Sequence, residues 1–105
     1  MAQVTLVLWR DIPAQVIVGK GRNALKRPLA ARFEQAIDRA AMKADAHEAD
    51  AYLAAWRKSG PVEVAGSEEH AAEAEAARID MAYGNDRLRR LIAAGGWDNE
   101  TAQGA

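Results

Sequence analysis

Val4-Thr5-Leu6-Val7-Leu8-Trp9 is almost continuously apolar and rich in β-formers, the pattern of a strand buried on both faces. Asp11-Ile12-Pro13-Ala14 follows with turn chemistry, an aspartate first and then a proline whose ring fixes φ. Gln15-Val16-Ile17-Val18 reads as a second strand, and so short a connection predicts an antiparallel hairpin. The apolar pattern then stops. Gly19 to Arg27 reads as a basic, glycine-bearing loop, and Pro28 suits the first turn of a helix.

From Leu29 to about Ala44 the spacing turns helical. Leu29, Phe33, Ile37, Ala40, Ala41 and Ala44 fall on one stripe at intervals of three and four. Asp45, with Glu48 three residues on, resembles a capping box for a second helix striped by Ala49, Tyr52, Leu53 and Trp56 and stopped by Gly60-Pro61. Val62-Glu63-Val64 is a short alternating strand. Ser67 is placed to cap a third helix from Glu68 to Tyr83, with Glu68 and Glu69 in the first turn, where the helix dipole favours acids. That helix is alanine-rich, with Ala72, Ala76, Ile79 and Tyr83 as its best stripe. Gly84-Asn85 breaks it, Asn85 can cap a last helix edged by Leu88, Leu91 and Ile92, and Gly95-Gly96 ends that one.

The expected fold is therefore α+β: a hairpin and a short third strand packed against about four helices, in the order ββααβαα. Residues 1–97 read as one domain and 98–105 as a polar, flexible tail. The 105-residue length suits a single domain with a modest core.

Charge and cysteine content narrow the chemistry. With 14 Lys and Arg against 15 Asp and Glu the net charge is −1, so no global field favours nucleic acid or membrane. Without cysteine, disulfides, thiolate catalysis and cysteine metal sites are out. No apolar run spans a bilayer and the N-terminus has no signal-peptide pattern, so a cytoplasmic location is expected.

Candidate chemistry gathers near the hairpin. Lys20, Arg22, Lys26 and Arg27 cluster between a strand and a helix start, among glycines that let a ligand approach the backbone, and could bind a phosphate or carboxylate. The same charges also suit a solvated turn. Gly19 to Ala24 fits GxGxxA, but a dinucleotide site needs a βαβ unit and a strand-end acid about 20 residues on, and that position falls inside a helix. His47 and His70 have no partner ligands at metal spacing, and Ser59 and Ser67 read as turn and cap. The carboxylate pairs Glu34/Asp38 and Glu69/Glu73 suit solvated helix faces. No motif calls for a metal or cofactor, and no catalytic constellation is visible. Trp9 and Trp56 suit core anchoring, whereas Trp97 follows the double glycine outside any stripe and could pack back or dock on a partner.

Four stretches carry a resemblance: Trp9-Arg10-Asp11-Ile12-Pro13-Ala14-Gln15-Val16, Val18-Gly19-Lys20-Gly21-Arg22, the helix from Arg32 to Met42, and Asp50 to Arg57. On these the chain resembles, over roughly residues 3 to 95, the small bacterial virulence-factor domain proteins common in alphaproteobacteria. The resemblance implies no reaction, cofactor or catalytic residue. It implies an accessory protein beside folate-linked and corrinoid-dependent methyl transfer, with a methylenetetrahydrofolate reductase or a corrinoid protein as partner.

Three functions are then expected to compete. The first is a non-catalytic interaction domain of one-carbon metabolism, with Trp9, Arg10, Asp11 and Trp97 on its partner surface. The second is an anionic-ligand module using the basic loop. The third is a structural homodimer packed through the alanine-rich helix. Nucleic acid is not expected, because the basic cluster is local and no aromatics interleave it.

Overall fold

The computed structural model describes residues 2–45 and 48–98. Strands β1 (Ala2–Trp9) and β2 (Ile12–Val18) form the expected hairpin, with Val4 opposite Val18 and Trp9 opposite Ile12. Its turn is tighter than the motif predicts, only Arg10 and Asp11. Arg10 takes the left-handed conformation, φ 54°, where a non-glycine residue costs about 1–2 kcal/mol. Pro13 lies within β2, opposite Leu8 and next to a register shift. Such an irregularity is where a residue without an N–H is tolerated inside a sheet.

The basic segment is not loop throughout. After a single 3-10 turn (Gly21–Asn23) the chain enters β3 (Leu25–Pro28), which pairs with β2, so Pro28 ends a strand and does not open a helix. Leu25 and Arg27 are half-buried and alternate with exposed Lys26 and Pro28. Helix α1 (Ala31–Lys43) follows and buries Phe33, Ala36, Ile37, Ala40 and Ala41, the face its spacing predicts.

The second helix is shorter than expected. α2 runs Ala49–Ala54 from Glu48 at its N-cap, so Asp45 is not the cap, and His47 lies outside the described residues. Trp56 belongs to no helix. It opens β4 (Trp56–Val64), which pairs with β1 along its length, Trp9 opposite Trp56 and Ala2 opposite Val64. Gly60-Pro61 is thus a kink within a strand. The register shifts there, and a Cβ on Gly60, at φ 105°, would lie 2.8 Å from the Val4 carbonyl oxygen. The sheet order is β3-β2-β1-β4, four antiparallel strands where the sequence predicts three.

Helix α3 (Glu68–Ala82) is capped as predicted, the Ser67 hydroxyl accepting from the His70 backbone N–H at 3.1 Å. Its alanine face is spent inside the molecule, with Ala71, Ala72, Ala76 and Ile79 buried against the sheet. This removes the ground for expecting that face to pair with a second copy. α4 (Asn85–Ala93) has Gly84 and not Asn85 at its N-cap and buries Leu88 and Leu91, packing on α1. The α+β class holds: one face of the sheet, with Val4, Val16 and Val18, joins Phe33, Ile37, Ile79 and Leu88 in a single core.

Candidate functional site

Strand alternation sends Thr5, Val7, Gln15, Ile17 and Lys26 to the face opposite that core. The pairing aligns them in rows, Thr5 with Ile17 and Ile17 with Lys26, then Gln15 with Val7 and Val7 with Lys58. They line an open recess of about 590 Å³ together with Gly19, Gly21, Ala24, Gly60 and Pro61. Lys26 comes from one outer strand and Lys58 from the other.

The structure therefore divides the expected basic cluster. Lys20, Arg22, Lys26 and Lys58 make no ion pair among the described residues, and Lys20 and Arg22 stand exposed, one at the N-cap of the 3-10 turn and one within it. Arg27 points the other way, to Glu73 on α3 at 2.7 Å. Lys58 went unrecognised because residues 56–60 read as helix end and turn. One acid stands at the rim: the Glu68 carboxylate lies 2.6 Å from where a Cβ on Gly19 would be. The GxGxxA stretch now connects two antiparallel strands, β2 and β3, and opens no helix, so it lacks the geometry of a dinucleotide site.

The hydrogen bond from Arg27 holds the Glu73 carboxyl below the usual carboxylate range, against a smaller opposing effect of burial. A folded pKa below the unfolded one gives stability that is present above the unfolded pKa and lost as pH falls through the folded one. Glu73→Gln is therefore expected to lower the thermal midpoint slightly at neutral pH and to leave it unchanged in acid. Equal losses at both pH values would contradict this role for the pair.

Beyond Val7 and Gln15 a second recess, of about 270 Å³, opens where the sheet meets α1 and α2, lined by Ala14, Pro28, Leu29, Ala30, Glu34, Tyr52, Trp56 and the buried core residue Ile37. Tyr52 packs between the two tryptophans, its ring centre 5.8 Å from the buried Trp9 in a tilted contact and 5.9 Å from Trp56 edge to face. Burial, and then the Asp38 and Glu34 charges, push the Tyr52 hydroxyl pKa up. This end of the face is apolar and slightly acidic.

The distinctive Trp9-Arg10-Asp11 stretch is engaged elsewhere. Trp9 is fully buried and donates from Nε1 to the Tyr52 carbonyl at 2.9 Å, so it offers no surface to a partner. The Arg10 guanidinium lies between two indoles, 4.9 Å from Trp9 and 5.3 Å from Trp97, and donates to the Gly95 carbonyl at 2.7 Å. Asp11 accepts from Arg57 Nη2 at 2.8 Å and from the Asp98 backbone N–H at 2.6 Å, while its own N–H donates to Gly96 at 2.8 Å. The hairpin turn and residues 95–98 thus form one clasp. Asp98 is tied into it rather than starting a free tail, and residues 99–105 lie outside the described ones. Trp97 keeps half its surface in solvent beside a recess of about 250 Å³ that includes Arg87, Arg90 and Leu91.

No catalytic arrangement emerges from these residues. His70 is exposed, the Ser67 hydroxyl is occupied by its cap, and no group of three or more His, Cys, Asp or Glu among the described residues could hold a metal ion. No helix among them is long and apolar enough to cross a membrane. A family model described as "Virulence factor" matches residues 7–92. Comparison with curated proteins and with solved structures gives no match.

Proposed function

From the premise that this chain belongs to the virulence-factor family, we propose that it is a non-catalytic accessory domain that binds an acidic partner protein on the open face of its sheet. The observation that carries this reading is the pair Lys26 and Lys58, set on opposite outer strands, facing the same recess and free of ion pairs among the described residues. Unpaired cations framing an open surface steer an anionic partner and fix its orientation. The resemblance supports a cytoplasmic enzyme of folate- or corrinoid-linked methyl transfer as that partner, a methylenetetrahydrofolate reductase among them.

The test is affinity purification of the tagged chain from its native cells with mass spectrometry, then calorimetry with the recovered partner. Lys26→Glu/Lys58→Glu is expected to weaken binding roughly 100-fold, because two attractive contacts become repulsive. Higher salt should weaken the wild-type complex as well. Recovery of the chain alone, or a partner that ignores both charge reversals, contradicts the reading.

Pairing of two copies through the free edge of β4 gains no support. Pro61 lacks an N–H, the register shift bends the strand at Gly60, and Lys58 adds charge, the features that blunt a sheet edge.

A further inference from the structure

Resting on that reading, we propose that the open face is a groove for one extended, acidic segment of the partner that carries a single bulky apolar anchor. The basic and apolar recesses adjoin, since Val7 and Gln15 line both. The apolar end is built from Leu29, Ile37, Tyr52 and Trp56 and holds about 270 Å³. Small-molecule pockets run from about 300 to 1,000 Å³, so this one is of a size for a side chain rather than a cofactor. The basic end is larger, about 590 Å³, and carries the lysines, which suits several carboxylates rather than one buried anion.

Spacing sets the ligand. Lys58 pairs directly with Val7, and Lys26 lies two strands and two residues away from it. With ordinary sheet dimensions Lys26 is then about 12 Å from Val7, about four residues of extended chain, and about 16 Å from Lys58 across three strand spacings. An anchor in the cleft therefore places side chains two to four positions on, in reach of both lysines. Charge gives the segment a direction. Glu34 lines the cleft and disfavours a carboxylate beside the anchor, so the acidic residues belong toward the lysines. Among the described residues no aromatic ring lines the basic end to stack on nucleobases, and a single strand of nucleic acid is the poorer occupant.

Panning a phage-displayed library of random dodecapeptides on the full chain tests this. Enriched sequences should share one bulky apolar residue and, about two to four positions away, at least two Asp or Glu. Panning on Lys26→Glu/Lys58→Glu should lose the acidic positions, and panning on Ala30→Phe, an exposed cleft position, should lose the apolar one. Circular dichroism checks that both variants fold. A selected peptide measured by fluorescence anisotropy should bind at least tenfold more weakly when its anchor becomes Ala, and likewise when its acids become Ser. Acidic peptides with no shared anchor overturn the groove while leaving an acidic partner in place. Apolar-only motifs, no enrichment, or binding of an oligothymidylate with no selected peptide bound overturn the groove, and the calorimetry above then decides the broader reading separately.

Discussion

Replacing Trp9 by alanine is expected to lower folding stability by about 3–5 kcal/mol, the usual cost of emptying a large aromatic site in a core. A domain of this kind holds only about 5–15 kcal/mol in all, so the variant should sit near the edge of folding. Trp9 is fully buried, packs against Tyr52 and Arg10, and donates from Nε1 to the Tyr52 carbonyl. Alanine leaves a cavity beneath the clasp and removes one of the hydrogen bonds to the Tyr52 carbonyl, which keeps the one from the Ala55 N–H. Urea unfolding followed by far-ultraviolet circular dichroism measures the loss. Trp97→Ala is the control: that ring is half in solvent and should cost far less. Similar losses for the two would mean that the clasp, and not burial of Trp9, dominates.

Gly96→Ala is expected to cost about 2–5 kcal/mol from a single methyl group. Gly96 has φ 98°, and a Cβ there would lie 2.9 Å from Trp9 Cζ3 and 3.2 Å from Arg10 Cδ. The left-handed backbone contributes about 1–2 kcal/mol and overpacking against Trp9 about 1–3. The ring cannot retreat, because it is packed on its other side, and the glycine backbone is pinned by bonds to Leu91 and Asp11. Gly21→Ala separates the two effects. Gly21 has φ 71° but nothing within 4 Å of its would-be Cβ, so only the backbone penalty applies. If the two variants lose equal stability in urea, the contact with Trp9 is not what makes Gly96 necessary.

The hairpin, α1 and the Ser67 cap were legible because each rests on a local signal: alternation, a three-four stripe, a side chain three residues from its donor. β3 and the first two thirds of β4 were not, for different reasons, although Val62-Glu63-Val64 at the end of β4 is the short strand expected there. β3 is four residues long and half cationic, so its period-two burial hides behind a charge run. β4 is exposed from Arg57 to Glu63, everywhere but its two ends, and is broken by Gly60-Pro61; what makes it a strand is β1, some fifty residues earlier. Misreading it hid Lys58 and with it half of the candidate site. The Trp9-Arg10-Asp11 stretch is expected on a partner surface, but Arg10 and Asp11 find the Gly95 carbonyl and the Asp98 N–H 85 and 87 residues downstream. Gly95-Gly96 looked like a helix stop and is one. Its second duty, making room for Trp9 and Arg10, has no local signature.

The clasp also sets an order of events during synthesis. Arg10 must hold its unfavourable φ as soon as the hairpin closes, yet the Gly95 carbonyl and the Trp97 ring that reward it are among the later residues to leave the ribosome. Closing so long a loop is slow relative to a hairpin, which forms in microseconds, while translation adds only about 5–20 residues per second. The turn that most distinguishes this chain therefore spends seconds of its life unlocked, and it acquires its final form only when the two distant ends of the fold meet.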